Sequence, residues 1–271
     1  MTLPSRAASL ALAFALALAP AARADEGADR ALVRGRYDVL SDTVQVTLRN
    51  ETSFGIGRRD RVGNVTVPET SFLTLVGERW GLAHHIQLPL VWQPEVVARY
   101  GGIYGLGDLG YELYGTWLAG TGLAAGGGLA LVLPTGSDRR TSESKWQIGP
   151  ALALGGAWGA ASLSVTARQL FTMGSVHTAP DVNRLVVQPV LTWTFRSGWY
   201  LVTAPRLQAD WDAATSDRFT VPLGGGVGRI FGVSSQRLAV SLEAYANVAP
   251  RSSTPHADWS LRAGLSLLYP R

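Results

Sequence analysis

Ionisable side chains recur at alternate positions along several apolar segments of the chain, and this spacing limits the chemistry they can perform. Successive side chains of a β-strand point to opposite faces, so these charges would share one face of a sheet. Four acids and five bases have this placement: Arg49, Asp108, Glu112, Arg168, Arg184, Arg206, Asp210, Glu243 and Arg262. Such a mixture suits either a polar solute path with little ion selectivity or an interior filled by paired charges.

Other reactive residue types are sparse. The four histidines are His84, His85, His177 and His256, and no spacing between them predicts a metal site. A serine hydrolase needs a base beside its nucleophile, and the nearest pair, Ser175 and His177, lies in a predicted loop. The chain has no cysteine, which excludes disulfides and thiolate sites. The sequence therefore predicts no catalytic residue, no metal and no cofactor.

Charge and glycine patterns do not indicate nucleotide or nucleic-acid binding. The glycine-rich segment 224–228 is not followed by Lys and Ser or Thr, so it is not a phosphate-binding loop. The formal net charge is +4, but the arginines are scattered and pair only at Arg58-Arg59 and Arg139-Arg140. The charge therefore fits solvated loops and an interior, and no nucleic-acid partner is expected.

The first residues have the pattern of an export signal. Arg6 precedes the apolar run Leu10–Leu18, and Ala22-Arg23-Ala24 has the small residues of a cleavage site. The run is shorter than the roughly 20 residues of a transmembrane helix, which is the alternative. We therefore predict a signal peptide over 1–24, a periplasmic segment over 25–41 and a β-barrel over 42–271.

Beyond residue 24, alternation with a period of two replaces any helical pattern. No later stretch approaches 18 consecutive apolar residues, which excludes a membrane protein made of helices. Leu238, Val240 and Leu242 alternate with Ser241 and Glu243, for example. Twelve such segments are predicted: 42–50, 71–80, 82–93, 106–118, 121–133, 146–157, 160–171, 183–196, 199–211, 218–231, 236–247 and 257–269.

The links between these segments alternate in length. Those after even-numbered segments are short: Gly81, Ala119-Gly120, Gly159, Ser197-Gly198 and 232–235. Those after odd-numbered segments are mostly long and polar, including 51–70, 134–145, 172–182 and 248–256. Short turns at one end and long loops at the other are typical of an all-β, transmembrane, antiparallel up-and-down barrel. A soluble β-sandwich, the alternative, would not require this regularity.

Aromatic and proline residues also follow the predicted strands. Nearly every tryptophan falls near a segment end, where its amphipathic ring suits the headgroup zone of a bilayer. Pro189, Pro205 and Pro222 fall inside segments and lack the N–H donor of a sheet ladder. They predict local bulges or weak pairing.

Several motifs after residue 104 resemble a bacterial outer-membrane family. They are Gly105-Leu106-Gly107-Asp108, Leu131 to Asp138, Trp146 to Pro150, Val182-Asn183 with Gln188-Pro189, Gly198 to Leu201, Ala209-Asp210-Trp211, Val221 to Gly228 and Glu243-Ala244-Tyr245. The family is labelled MetA-pathway of phenol degradation, and its members are often labelled transporters and sometimes neuromedin U. The resemblance implies movement of aromatic or other apolar compounds and supplies no catalytic residues.

These observations lead to three functional hypotheses. The first is a passive or ligand-gated channel for small solutes in a Gram-negative outer membrane. The second is a non-conducting barrel that acts through its loops, and the third is an outer-membrane lipid hydrolase. The expected partners are outer-membrane lipid, lipopolysaccharide, the barrel-assembly machinery and a small-molecule solute.

Overall fold

The computed structural model describes residues 26–56, 60–94, 101–118, 122–175, 181–233, 236–249 and 257–269. They form one helix, α1 (Glu26–Tyr37), and sixteen strand segments. The segments are β1 (Val44–Ile56), β2 (Arg61–Leu75), β3 (Trp80–Gln87), β4 (Leu90–Gln93), β5 (Ile103–Leu106), β6 (Leu109–Leu118), β7 (Ala124–Leu133), β8 (Lys145–Trp158), β9 (Ala161–Ser175), β10 (Asn183–Thr194), β11 (Trp199–Thr203), β12 (Leu207–Asp210), β13 (Phe219–Thr220), β14 (Pro222–Val233), β15 (Gln236–Asn247) and β16 (Trp259–Tyr269).

The sheet closes on itself. The first strand, β1, pairs with β2 on one side and with β16 on the other, and every pairing is antiparallel. Four strands are interrupted and consist of two segments each: β3 with β4, β5 with β6, β11 with β12, and β13 with β14. The sixteen segments are therefore twelve barrel strands, and the predicted twelve-stranded barrel is confirmed. Closure leaves no unpaired sheet edge.

Side chains alternate between an exposed outer wall and a buried inner wall. On β8, for example, Leu152 and Leu154 are exposed, whereas Ala151 and Ala153, which alternate with them, are buried. Exposed aromatic side chains lie towards the strand ends, including Trp80, Trp117, Trp158, Trp193, Tyr269, Trp146, Trp211, Phe219 and Trp259. An apolar exterior bounded by aromatic rings is typical of a barrel that faces lipid. Among the described residues, no helix is long and apolar enough to span a bilayer.

Two links differ from the sequence prediction. The predicted loop 51–70 is largely strand, because β1 runs to Ile56 and β2 begins at Arg61. The predicted turn at Gly81 is wrong as well: the chain reverses over 76–79, and Gly81 is part of β3. The first error has a physical cause. Asn50 and Asn64 exchange side-chain hydrogen bonds between β1 and β2, and these polar groups interrupt the apolar half of the alternation.

Prolines interrupt the wall where two of them face each other. The register of β10 with β11 and with β12 is continuous, and it places Pro189 opposite Pro205. Neither proline has an N–H donor, so the ladder is broken over 204–206 between β11 and β12. Pro222 lies beside this break, at the start of β14. The predicted weak pairing at these prolines is therefore present in the structure.

The helix α1 lies inside the barrel. Its contacts are with β1, β10, β14 and β16 and with the turn 196–198. Asp29, Leu32, Val33 and Arg36 are buried, and their spacing places them on one face of the helix. We call the end of the barrel with short turns the turn end and the opposite end the loop end. The helix of the segment predicted as 25–41 thus lies in the lumen, enclosed by the strands, at the turn end.

Candidate functional site: the lumen

The described residues line three cavities along the lumen. A loop-end cavity of about 480 Å³ lies above a middle cavity of about 120 Å³. A third cavity, of about 450 Å³, lies at the turn end between α1 and the wall. Within the described part of the chain, it shares no lining residue with the other two. The helix and the residues that follow it therefore separate the turn end from the rest of the lumen.

A layer of polar side chains divides the loop-end cavity from the middle cavity. We call it the dividing layer, and its members line both cavities: Arg49, Gln87, Glu112, Arg168, Arg206 and Arg262. Four of the six are arginines, and they come from four different barrel strands. A solute that crosses the lumen must pass these side chains.

One chain of ion pairs crosses this layer from β9 to β1. The Arg168 guanidinium donates to the Glu112 carboxylate, and both side chains are buried. The His85 ring lies between two carboxylates, with Nδ1 3.6 Å from Glu112 and Nε2 3.8 Å from Glu69. Glu69 in turn lies 3.6 Å from Arg49. Each charge in this chain therefore has an opposite partner, as burial requires.

A second chain of contacts joins Arg49 to β16. Glu51 lies 3.5 Å from Arg49 and 3.3 Å from Arg262. Arg262 also lies 3.5 Å from Glu243, and it donates to the carbonyl oxygen of Ala204 at 3.0 Å. Since Ala204 lies in the break between β11 and β12, its carbonyl has no ladder partner, and the arginine supplies one.

The helix is fastened to the wall just below this layer. The Arg36 guanidinium donates to the Tyr200 hydroxyl at 2.9 Å and to the Ser241 hydroxyl at 2.8 Å. The Tyr37 hydroxyl donates to Glu243 at 3.4 Å, and its backbone carbonyl accepts from Ser164. The end of α1 is thus bonded to both sides of the lumen.

The turn after α1 carries a buried acid. Asp38 accepts from the Leu40 amide at 3.0 Å and lies 3.1 Å from Nε of Arg34. Burial raises the pKa of this carboxyl above its ordinary value, although Arg34 acts in the opposite direction. Leu40 is itself buried against Tyr114 and other inner-wall residues. This turn completes the separation of the turn end from the middle cavity.

Arg206 differs from the other arginines of the dividing layer. Its Nε is buried and has no hydrogen-bond partner, and no carboxylate of the described residues lies within ion-pair distance of its guanidinium. The charges nearest to it include the guanidiniums of Arg168 and Arg49, with the carboxylates of Glu112 and Glu51 as opposing charges. Those two carboxylates already pair with other arginines.

At the loop end, segment 134–144 folds inwards over the lumen. Asp108 holds it: one carboxylate oxygen accepts from Gly136 N at 3.1 Å, and the other accepts from the amides of Glu143 and Ser144. The Glu143 side chain then reaches Arg184 at 2.7 Å, and Arg184 also lies 3.4 Å from Asp210. This loop therefore contributes to the wall of the loop-end cavity.

All nine charged residues predicted for the inner wall are found on the lumen side. Eight line the loop-end or the middle cavity, and Asp210 pairs there with Arg184. Their part in solute passage stays a prediction. The sequence prediction missed Glu51 and Glu69, because it assigned both to a loop, and it missed Arg36 in the N-terminal segment. The alternation of Arg49, Glu51 and Ser53 was the available signal.

The described residues hold no cluster of histidine, cysteine and acidic side chains that could bind a metal. His84 lies on the outer wall, where its Nδ1 is 2.9 Å from the Tyr111 hydroxyl and its ring stacks on Phe72. Neither His84 nor His85 is hydrogen-bonded to a serine in this part of the chain. His177 and His256 lie outside the described residues.

Comparisons with known proteins find similarity of structure only. The chain matches no protein-family model and no curated protein. Its fold is similar to the COG4313 outer membrane channel from Pseudomonas putida F1, with a TM-score of 0.65 and 15% identity over 84% of this chain and 95% of that one. It is also similar to the NanC porin, with a TM-score of 0.54 and 8% identity over 83% and 98%. At these identities the likeness shows the fold alone.

Proposed function

We propose that the protein is an outer-membrane channel for small solutes, with α1 as a barrier that must shift before a solute can pass. The observation that carries the proposal is the charged loop-end cavity of about 480 Å³, which α1 and the turn after it separate from the cavity at the turn end. A lumen meant only to be filled needs no cavity of this size. A helix that is held in the lumen by side-chain contacts, and not by the strand ladder of the barrel, is an element that can move.

The location follows from the barrel. An apolar outer wall with aromatic ends fits a bilayer, and bacterial barrels of this kind have their short turns in the periplasm. The turn end would then face the periplasm and the loop end the cell exterior. Residues 1–24 would act as the export signal. Outer-membrane lipid and lipopolysaccharide would surround the wall, and the barrel-assembly machinery would insert it. The outer-membrane location alone is supported by the outer membrane channel of similar fold.

The test uses a single introduced cysteine, since the natural chain has none. Gln87→Cys places a thiol in the dividing layer, and Glu78→Cys places one on an exposed turn outside the lumen. Single-channel current in planar bilayers is recorded before and after a charged, water-soluble thiol reagent. We expect the current through the Gln87→Cys protein to fall and the current through the Glu78→Cys protein to stay unchanged.

The second hypothesis is a non-conducting barrel, and the paired charges of the dividing layer favour it. Such a network can seal a lumen as well as line one. Absence of current in the unmodified protein, together with absence of solute uptake by liposomes that contain it, would establish this alternative. Current that persists after complete labelling of Gln87→Cys would contradict a path through the lumen.

A further inference from the structure

We propose that the dividing layer is a binding site for the carboxylate group of a small organic acid with an apolar body. Arg206 would be the main contact. The inference rests on the proposed function insofar as the acid is a solute of the channel. It goes further, because it names the chemical class of the solute and the side chain that recognises it.

The guanidinium of Arg206 differs from those of the other arginines in having no carboxylate partner among the described residues. The other arginines of the dividing layer each have a carboxylate, namely Glu69 and Glu51 for Arg49, Glu112 for Arg168, and Glu51 and Glu243 for Arg262. Among the described residues, no carboxylate lies within ion-pair distance of Arg206, and its buried Nε has no hydrogen-bond partner. The Arg206 side chain is half-buried, and a charge partly withdrawn from water without a partner is costly, so an anion that enters the lumen gains most by pairing with it.

The guanidinium of Arg206 also has a shape that suits a carboxylate. A guanidinium presents its N–H donors in a plane and matches the two oxygens of a carboxylate. Arg206 lines both the loop-end and the middle cavity, so a ligand can reach it from the loop end. The backbone there is held by Pro205 and by the bond from Arg262 to Ala204. The site is therefore positioned by the break in the wall.

The loop-end cavity, which lies on the loop side of the dividing layer, also has apolar lining residues. Apolar side chains of the inner wall also line the loop-end cavity, among them Val67, Ala130, Val132, Leu170 and Val186. Of these, all but Val132 are buried. A cavity of about 480 Å³ is in the range that holds a small molecule. Apolar side chains close to the guanidinium of Arg206, in a cavity that also has charged lining residues, fit a molecule with an apolar body and one carboxylate.

This proposal departs from the expectation of little ion selectivity. Four acids and five bases along the strands give a nearly balanced charge. This count includes the charges that pair with each other, so it does not show where an unpaired charge remains. In the structure, the carboxylates near Arg206 are occupied by Arg168, Arg49 and Arg262. The free positive charge is therefore local, and a count of residues cannot reveal it.

The experiment compares benzoate with benzamide, which has the same ring and no charge. Binding to the full, detergent-solubilised barrel is measured by titration calorimetry at neutral pH. We expect the wild type to bind benzoate and not benzamide. Because a hydrogen bond to a charged group is strong, Arg206→Gln should weaken benzoate binding by roughly tenfold or more. Arg206→Lys, which keeps the charge and loses the planar fork, should give an intermediate affinity.

The matched control is Arg79→Gln, which removes the same charge from an exposed turn at the opposite end of the barrel. It should bind benzoate as the wild type does. The proposal is overturned if the wild type binds no benzoate, if it binds benzamide equally well, or if Arg206→Gln binds benzoate unchanged. A shift of gel mobility on heating shows that each variant is folded, and Arg206→Lys serves if Arg206→Gln does not fold.

Current measurements separate this proposal from the proposed function. Benzoate binding that depends on Arg206 in a protein without conductance upholds the site and contradicts the channel. Conductance in a protein that binds no benzoate upholds the channel and overturns the site. If both hold, benzoate added on the loop side should reduce the chloride current of the wild type more than that of Arg206→Gln.

Discussion

The two halves of the lumen are enclosed by the same alternating strands, but the side chains of their inner walls differ: they are apolar in one half and charged in the other. Towards the turn end, the inner wall is lined by apolar side chains such as Val202, Ile230 and Leu268, and these pack around Leu32 and Val33 of α1. Towards the loop end, the wall carries arginines and carboxylates around a cavity of about 480 Å³. The dividing layer lies between the two halves.

The difference shows that the strand backbone does not decide whether the lumen is open, and that the side chains of the inner wall do. A barrel of twelve strands is wide enough for a helix, and an apolar inner wall favours one by the hydrophobic effect. A charged inner wall instead retains water and holds its charges in pairs. In the proposed channel, the barrier to a solute would be the docked helix and the ion pairs. Both can be changed without altering the strands.

The largest effect is expected from a charge at the helix contact. Val33 is fully buried, so Val33→Asp would place a carboxylate among apolar side chains at a cost of several kcal/mol. We expect the helix to leave the lumen and the single-channel conductance to rise severalfold. Ala31→Asp introduces the same residue on the exposed face of α1 and should leave the conductance near that of the wild type. Equal conductance in all three proteins would show that α1 is not the barrier.

The next effect concerns the dividing layer. Glu112→Gln would leave Arg168 buried without its partner, which we expect to lower the free energy of unfolding by about 3–5 kcal/mol. Urea unfolding in detergent, followed by tryptophan fluorescence, measures the change. The double variant Glu112→Gln, Arg168→Met removes both charges and should recover most of the loss. A double variant as unstable as the single one would mean that the pairing of these two charges is not what matters.

A smaller effect is expected in the loop-end half. Asp108→Ala removes the acceptor of three backbone amides in segment 134–144, and we expect the loop to detach at a cost of about 1 kcal/mol. Trypsin should then cleave after Arg139 or Arg140 faster than in the wild type. Glu78→Ala, an exposed acid in a turn at the opposite end, is the control. Unchanged cleavage would indicate that other contacts hold the loop.

The smallest effect is a pH dependence at the turn that follows α1. The pKa of Asp38 is raised by burial, so its contribution to stability is complete below the ordinary carboxyl pKa and is lost as the pH rises through the raised one. Asp38→Asn keeps an oxygen for the Leu40 amide and does not ionise. From acid to neutral pH, the wild type should therefore lose stability relative to this variant. The exposed Asp42→Asn is the control, and parallel curves for Asp38→Asn and the wild type would contradict the prediction.

Particular residues show how far the sequence could be interpreted. Leu238, Val240 and Leu242 gave the bounds 236–247 of one strand, and these are the bounds in the structure. The residues 61–70 were assigned to a loop, because Asn64 and Thr66 occupy outward positions where an apolar side chain was expected. Pattern analysis depends on the contrast between two faces. It fails where both faces are polar, even though the backbone continues as a strand.

The sequence by itself predicted the twelve strands of the barrel, the short and long links except at 51–70 and Gly81, and the strand positions of nine charges. All of these follow from local periodicity, because the direction of a side chain on a strand depends only on its position. Tertiary structure alone decided that α1 lies inside the lumen, that Glu69 and Glu51 complete the ion pairs and that Arg206 has no partner. Pairing depends on distances between strands far apart in the chain, and periodicity does not contain those distances.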